Sequence, residues 1–290
     1  MQPRLDPLND YLFYKVMGEK NDEVQLLGFI NAVLGKTGDD MFTAVEILEN
    51  KTFTPENIGD KSTTLDVRAV FHGKTKVNAE VQLRNQNNMD KRSLFHWSRE
   101  FSRSLNAGHD YRELPNVIAV NIIDFDYLGT KGFHSCFQLR DSKEHDIILT
   151  EALEIHFINM VRYRKLKGKG ILENPLFRWL AWFDRGSRPE LLKEVLKMDA
   201  AIFAAEERLA YISGDEDAMD MYRRRLMASC DRTSELNYAR DQGHAEGHAE
   251  RGEEERNKAI QRARTAKAEG VTTQTIQMLT GLDIETIKNL

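Results

Sequence analysis

The spacing of apolar residues predicts two helices at the start of the chain. Five apolar residues recur at the three- and four-residue spacing of one helical face, namely Leu26, Leu27, Ile30, Val33 and Leu34. Gly18 and Asn21 interrupt this pattern and predict a break between helices over 10–17 and 22–34. Gly35 predicts the end of the second helix, because glycine readily takes the backbone conformation that terminates helices.

Alternating and continuous apolar runs predict strands in the middle of the chain. Apolar and polar residues alternate over 63–72 and 76–83, on either side of Gly73, and this pattern predicts a hairpin. Residues 116–125 are nearly all apolar, which predicts a strand buried on both faces. Further strands are predicted over 42–53, 133–139 and 153–164, and the end of the last could also be helical.

Residues 90–107, between the hairpin and the buried strand, predict an amphipathic helix. One stripe is apolar and is expected to pack in the core: Leu94, Trp97, Phe101 and Leu105. A second, displaced stripe is basic: Arg92, His96, Arg99 and Arg103. This basic stripe is either the solvated face of the helix or a track for a phosphate backbone, and the sequence favours neither.

The pattern is helical from residue 175 onwards. Helices are predicted over 175–184, 189–212 and 215–240, and two short helices are predicted around Thr280 and Gly281. Between them lies a tract of Gly, His and Glu without core-forming residues, which predicts a solvated helix or a hinge. Its histidines are four residues apart, but Ala245 stands where a zinc-protease motif needs Glu, so we expect a spacer.

The order of these elements predicts an α/β fold in which helices flank a mixed sheet on both sides. We expect a core over 1–165, a helical extension over 166–240, a hinge or spacer over 241–255 and a C-terminal helical module over 256–290. Near its end this module carries almost no basic residue except Lys288. It is therefore predicted to pack or to form a homo-oligomer rather than to read DNA.

Composition and charge narrow the classes of function. The chain has 290 residues, a formal net charge of −5 and a sequence pI near 6.0, which disfavours nucleic-acid binding over the whole surface. Charge is unevenly distributed, however. Residues 84–112 hold six Lys or Arg against three Asp or Glu, a local charge of +3. A basic segment of this kind is what binding a polyanion requires.

Cysteine usage and hydropathy indicate a cytoplasmic protein. Cys136 and Cys230 are far apart and lack a CxxC partner, so the sequence predicts neither a disulfide framework nor a zinc site. No apolar run approaches the roughly 20 residues of a membrane span. The first residues lack the apolar block of a signal peptide. We therefore expect no membrane partner.

Three polar side chains interrupt the predicted hairpin. Asp66 falls in the first strand, and Glu80 and Gln82 fall on one face of the second. A turn at Gly73 would bring Asp66 beside Glu80. Two carboxylates and an amide among apolar neighbours suit a hard cation such as Mg²⁺. The alternative is a pair of surface carboxylates on a half-exposed hairpin.

Several motifs in order resemble one known family, the Rpn recombination-promoting nucleases, also called PD-(D/E)XK nuclease family transposases. The motifs are LDPLNDYLFYKVMG, LLGFINAVLG, LDVRAVFHG with KVNAEVQL, and the block from KRSLFHW to NIIDF. The resemblance is close over residues 5–140, weaker over 165–235, and resumes at the C-terminus. The D-x₁₃-E-x-Q pattern alone is short, and its specificity comes from the order of the motifs.

The resemblance implies a restriction-endonuclease-like PD-(D/E)XK core and a Mg²⁺-dependent DNA endonuclease, with Mn²⁺ as a possible substitute. It further implies a role in DNA recombination or mobility, or in defence against foreign DNA such as phage. Asp66 matches the metal-binding aspartate of the motif and Glu80 matches its (D/E). Gln82 stands where the wider superfamily has lysine, so it could orient water but supplies no charge.

The missing lysine makes other cations candidates for the same role. Lys15 lies in the family-like first helix, and Lys91 and Arg92 begin the basic helix. The alternative for each is a solvated surface charge. In the superfamily the first helix often supplies a further acid near the metal, so Glu23 and Asp10 are candidates for that position, although helix capping or an indirect role is favoured.

A second function remains open: a catalytically decayed protein of the same fold that binds DNA or supports assembly. The absent lysine and the acidic pI favour this alternative. The intact pair of Asp66 and Glu80 opposes it.

Overall fold

The computed structural model describes residues 4–20, 22–48, 66–105, 108–166 and 172–290. The chain divides into two compact units, Met1–Leu226 and Met227–Leu290. The finer division into core, extension, spacer and C-terminal module stays a prediction.

A mixed sheet forms the centre of the first unit. Its strands are β1 Val45–Ile47, β2 Val67–Phe71, β3 Thr75–Gln82, β4 Asn116–Ile123, β5 His134–Gln138 and β6 Leu153–Asn159. They are arranged in the order β1-β2-β3-β4-β6-β5. The pairs β3–β4 and β4–β6 are parallel and the other neighbours are antiparallel. The order confirms the mixed sheet that the sequence predicts.

Most strand predictions are confirmed with shorter ends among the described residues, which do not include residues 63–65 at the start of the predicted hairpin. All residues of β4 except Asn116 are buried, as its apolar run predicts. The strand predicted over 42–53 is limited to β1, and residues 49–53 lie outside the described part of the chain. The stretch 153–164 changes from β6 to a helix because the Asn159 side chain accepts a hydrogen bond from the Arg162 amide and caps the helix that follows.

Helices cover both faces of the sheet. They are α1 Asp10–Met17, α2 Val24–Val33, α3 Met89–Ser102, α4 Met160–Lys165, α5 Pro175–Phe183, α6 Pro189–Met198 and α7 Ala200–Gly214. Residues of α1, α2, α5, α6 and α7 share one core with the sheet face that carries Ala79 and Val120. On the opposite face, Met89 of α3 packs with Ala119 and Phe157. The fold is therefore the α/β class that the sequence predicts.

Two helix predictions need correction. The helix predicted over 189–212 is split into α6 and α7, because the Asp199 side chain caps α7 by accepting from the amides of Ala201 and Ile202. The predicted helix over 90–107 is shorter, since α3 ends at Ser102, and residues 106 and 107 lie outside the described part of the chain. The predicted break between α1 and α2 is confirmed.

A long helix, α8 Glu216–Ala268, runs from the first unit into the second. The Gly/His/Glu tract is helical within α8 and almost entirely exposed. Two short helices follow, α9 Thr273–Thr280 and α10 Ile284–Asn289, and Gly281 with φ +68° ends α9. Ala263, Ile276 and Ile287 form a small core there. In the described ranges, every helix is too short or too polar to cross a bilayer.

Candidate active site

Asp66 and Glu80 lie side by side on the sheet face that α3 covers. Val67 and Ala79 are paired across β2 and β3, so Asp66, the residue before, stands opposite Glu80. Alternation along β3 turns Glu80 away from the core that holds Ala79 and Val81. Asp66 is only 9 % exposed and Glu80 only 3 %. The two carboxylates of the hairpin therefore meet in a buried position rather than on the surface.

The electrostatics of this pair disfavour two uncompensated negative charges. Burial raises the pKa of Asp66 above its usual 3.8, and the negative charge of Glu80 raises it further. The backbone amide of Asp66, His96 and Arg68 lower this pKa without cancelling the rise. A divalent cation held by both carboxylates would offset the repulsion, and Mg²⁺ prefers oxygen ligands. The donor set therefore fits Mg²⁺.

Arg92, in the first turn of α3, contacts Glu80. Its Nη2 lies 3.3 Å from Oε2 of Glu80, and its Nε lies 3.4 Å from Oε1. Each carboxylate oxygen accepts one of these long hydrogen bonds, and because each has two acceptor sites, a further ligand can bind there. Of the three candidate replacements for the motif lysine, Arg92 is the one in contact with Glu80.

The two candidate lysines lie elsewhere. Lys15 of α1 forms an ion pair with Glu19, which also accepts from Arg208 of α7. Lys91 is exposed on α3, next to Arg92 in sequence. Neither lysine has a hydrogen bond to Asp66 or Glu80 among the contacts of the described residues.

The basic stripe of α3 is not a uniformly solvated face. His96, one turn after Arg92, is half-buried, and burial lowers the pKa of its imidazole although Glu80 and Asp66 act to raise it. Its Nδ1 is buried and has no hydrogen-bond partner within the described ranges. Arg99 is also half-buried, whereas Arg103 is exposed beyond the helix end. The stripe therefore begins against the carboxylates and ends in solvent.

The predicted apolar stripe of α3 is only partly correct. Trp97 is half-buried, donates its indole N–H to the Val117 carbonyl at 2.9 Å and stacks on Phe101 at 4.9 Å between ring centroids. Leu94, by contrast, is 49 % exposed. The fully buried positions of α3 are Met89, Ser93 and Glu100. The helix packs through a mixed face because the sheet beneath it carries both polar residues, such as Glu80 and Asn121, and apolar ones, such as Phe157.

Asn121 and Ser93 are site residues that sequence reasoning missed. Asn121 pairs with Glu80 across β3 and β4 and is 2 % exposed. Its Oδ1 accepts from Ser93 of α3 at 2.9 Å, and its Nδ2 donates to the carbonyl of His156 at 3.1 Å. The signal was present in the sequence: Asn121 is the one polar residue within the run VIAVNII.

A second missed contact lies beside the pair. Arg68 of β2 donates to Glu100 of α3 at 2.6 Å, and the Glu100 side chain is only 6 % exposed. This bond ties the end of α3 to the strand that follows Asp66. Arg68 and Glu100 are 32 residues apart in sequence, so no local pattern could pair them.

Gln82 lies two residues beyond Glu80 on the same face of β3 and is half-buried. Its Nε2 donates to the carbonyl of Arg84 at 3.3 Å. This contact leaves the amide oxygen as the acceptor end of the side chain. The role of Gln82 in positioning water stays a prediction.

Asp10 and Glu23, the candidate acids of the first two helices, have different surroundings. Asn9, not Asp10, caps α1 by accepting from the amides of Tyr11 and Leu12. Asp10 instead accepts from Nη2 of Arg225 at 2.6 Å. Glu23 is half-buried at the N-cap position of α2, where its side chain makes no capping hydrogen bond. A metal-binding role for Glu23 stays a prediction.

One of three comparisons with known proteins gave a match. A family model described as PD-(D/E)XK nuclease family transposase matches residues 7–239, a range that includes the whole sheet and the carboxylate pair. Comparisons with curated proteins and with solved structures gave no match. The family model covers well over half of the chain, and the chain therefore belongs to the PD-(D/E)XK nuclease family transposases.

Proposed function

We propose that the chain is a Mg²⁺-dependent DNA endonuclease centred on Asp66 and Glu80. The observation that carries the proposal is the burial of these two carboxylates opposite each other, with the pKa of Asp66 raised by burial and by Glu80. A purely structural sheet seldom places two acids together in this way, because burying like charges is unfavourable. Membership of a nuclease family supports the same reaction class.

Asp66 and Glu80 would hold the cation through their oxygens. Bound Mg²⁺, or Mn²⁺ in its place, would lower the pKa of a coordinated water and offset charge on the phosphate. The Gln82 amide oxygen would orient that water by accepting its hydrogen bond. Asn121, fixed by Ser93, would keep the neighbouring strand position rigid beside Glu80.

Arg92 would perform the task of the motif lysine. Its guanidinium holds Glu80 through two donors and has further N–H groups for a phosphate oxygen. Arg99 and Arg103 continue the charge along α3 and would contact the DNA backbone, which makes binding salt-dependent. A cellular role in DNA recombination, mobility or defence rests on the family resemblance alone.

A plasmid and oligonucleotide cleavage assay with Mg²⁺, Mn²⁺, Ca²⁺ and chelator tests the proposal. The native chain should cut with Mg²⁺ or Mn²⁺, and Asp66→Asn and Glu80→Gln should not. Asp146→Asn, which changes an exposed acid, is the matched control and should cut like the native chain. Cleavage that persists in chelator or in Asp66→Asn contradicts the assignment.

One observation favours the second candidate, a decayed nuclease that binds DNA without cutting it. Arg92 already offsets the negative charge of Glu80, so this buried carboxylate needs no metal to compensate its charge. Calorimetric titration with Mn²⁺ separates the two functions. A nuclease should bind Mn²⁺ in a manner abolished by Asp66→Asn, whereas a decayed protein should bind DNA but show no such metal binding.

A further inference from the structure

A cluster of sulfur, nitrogen and oxygen ligands lies on the opposite face of the sheet from Asp66 and Glu80. Cys136 of β5 is paired directly with His156 of β6, and Glu154 precedes His156 by two residues on the same face. His156 is also paired with Val120, whose side chain lies in the core that the sheet shares with α1, α2, α5, α6 and α7. The cluster therefore lies on that face of the sheet. These three side chains take no part in the proposed endonuclease reaction.

The distances within the cluster match those between ligands of one zinc ion. Sγ of Cys136 lies 3.6 Å and Oε2 of Glu154 lies 3.3 Å from Nε2 of His156. All three ligand atoms lie within 4.8 Å of one another. Tetrahedral Zn²⁺ with its usual bond lengths places sulfur and nitrogen about 3.5 Å apart, and nitrogen and oxygen about 3.4 Å apart. The cluster needs little rearrangement to close around such an ion.

Two neighbouring side chains hold the ligands in position. Nε2 of His134 lies 3.0 Å from Nδ1 of His156, the nitrogen that is not directed at the cluster. Gln138 donates to Oε1 of Glu154 at 2.8 Å, which leaves Oε2 directed at His156. Outer partners of this kind orient metal ligands and are typical of built metal sites.

The cluster is accessible to a metal ion. Cys136, Glu154 and His156 line a cleft of about 740 Å³ beside β5 and β6. His156 is only 4 % exposed, whereas the Cys136 residue is exposed. An ion could therefore enter from the cleft and be anchored by a buried histidine, with its fourth position open to the cleft.

We propose that Cys136, Glu154 and His156 form a second metal site that binds Zn²⁺, separate from the Mg²⁺ ligands Asp66 and Glu80. A thiolate and an imidazole select a borderline-soft ion over Mg²⁺, which prefers oxygen alone. Zn²⁺ displaces the proton of the Cys136 thiol, and this proton passes to solvent. The fourth ligand is water. The ion clamps the edge strand β5 onto β6.

The sequence predicts no zinc site, because Cys136 has no CxxC partner. The ligands come from two antiparallel strands 18 to 20 residues apart, a spacing that no short motif describes. Only the register of β5 and β6 brings them together.

Zinc content and cobalt spectroscopy test the proposal on the full, tag-free chain. After dialysis against a small excess of Zn²⁺, the native chain should retain one equivalent, and Cys136→Ser and Glu154→Gln should lose it. Co²⁺ should give the native chain a thiolate-to-cobalt charge-transfer band and the intense visible bands of tetrahedral coordination. Both should vanish in Cys136→Ser.

The controls use the other cysteine and the other metal site. Cys230→Ser changes an exposed cysteine on α8 and should keep the zinc and the cobalt band. Asp66→Asn with Glu80→Gln should keep them as well, so failure of the endonuclease proposal leaves this result unaffected. The proposal is overturned if the native chain retains no zinc, or if Cys136→Ser retains the band. Circular dichroism of the metal-free variants checks that each is folded.

Discussion

Asp66 and Glu80, the two carboxylates of the candidate active site, differ in their electrostatic surroundings. Asp66 is disfavoured as an anion because it is buried beside Glu80. Glu80, equally buried, is compensated by Arg92. A divalent cation that binds here would therefore be attracted by both carboxylates and would offset the repulsion that raises the pKa of Asp66. Such sites often reduce the stability of the folded chain in exchange for function.

Asp66→Asn should stabilise the metal-free chain at neutral pH. Folding raises the pKa of Asp66, so its ionised form costs stability at pH values above the unfolded value of 3.8. The cost is absent well below that value, where the carboxyl is protonated in both states, and grows as the pH rises through the folded pKa. We expect a gain of about 0.5–2 kcal/mol at pH 7, which is the range of typical stabilising substitutions.

Urea unfolding of both chains across a pH series measures this gain. The difference between variant and native chain should shrink as the pH falls towards 3.8. Added Mg²⁺ should stabilise the native chain and not the variant. A variant less stable than the native chain at pH 7 would show that Asp66 is well compensated without metal.

Arg92→Met should reduce cleavage far more than Lys91→Met. Arg92 contacts Glu80 whereas its neighbour Lys91 is exposed, so the two variants remove the same kind of charge from different places. Loss of one electrostatic donor at a reacting centre costs about 10²–10³ in kcat. Arg92→Lys should recover part of the rate. Equal losses in the Met variants, measured by single-turnover cleavage, would assign the effect to overall charge.

At the scale of elements, packing between helices depends on a few close approaches. Gly28 of α2 is the clearest case, because a Cβ added there would lie 2.5 Å from the Cβ of Ala201 in α7. By contrast, a Cβ at Gly247 of α8 meets nothing within 4 Å. The two glycines share a helical backbone and differ in their surroundings.

Gly28→Ala should therefore destabilise the chain and Gly247→Ala should stabilise it. Alanine favours a helix over glycine by about 1 kcal/mol, and Gly247→Ala should gain most of this. At Gly28 the gain is outweighed, because overpacking costs about 1–3 kcal/mol. Thermal unfolding followed by circular dichroism compares the two. A stabilising Gly28→Ala would mean that α2 and α7 separate easily.

Sequence patterns predicted most elements but misjudged the faces of α3. Periodicity assumes that the buried face of a helix is the apolar one. Around a polar site this assumption fails, because Ser93 bonds to Asn121 and Glu100 bonds to Arg68 beneath the helix. Leu94 is correspondingly half-exposed. The elements could be predicted from local spacing, but the rotation of α3 depends on partners distant in sequence.

At the scale of the whole molecule, the two short C-terminal helices leave large apolar side chains exposed. Met278 and Leu279 of α9 are 82 % and 70 % exposed, and Ile284 of α10 is 39 % exposed. We propose that the C-terminal helical module forms a homo-oligomer, because large apolar side chains that are exposed close together in sequence are typical of interaction surfaces.

Removal of residues 241–290 should abolish the association. The molecular mass of the particles should then fall by more than the mass of the deleted residues. Light scattering on size-exclusion fractions measures the mass, and the plasmid assay measures cleavage by the same samples. Leu279→Glu in the full chain is a milder test of the same surface. Unchanged association and unchanged cleavage after the deletion would exclude both an assembly role and a regulatory role for this segment.

The sequence by itself determined the fold class and the two carboxylates of the hairpin. Alternation and periodicity are local properties, so the strands β2 and β3 and the pairing of Asp66 with Glu80 follow from the spacing of residues near one another in sequence. Only the tertiary structure decided that Arg92 contacts Glu80, that Asn121 and Ser93 support the site, and that Cys136 meets His156. These contacts depend on strand register and helix rotation, which arise from packing across the whole sheet.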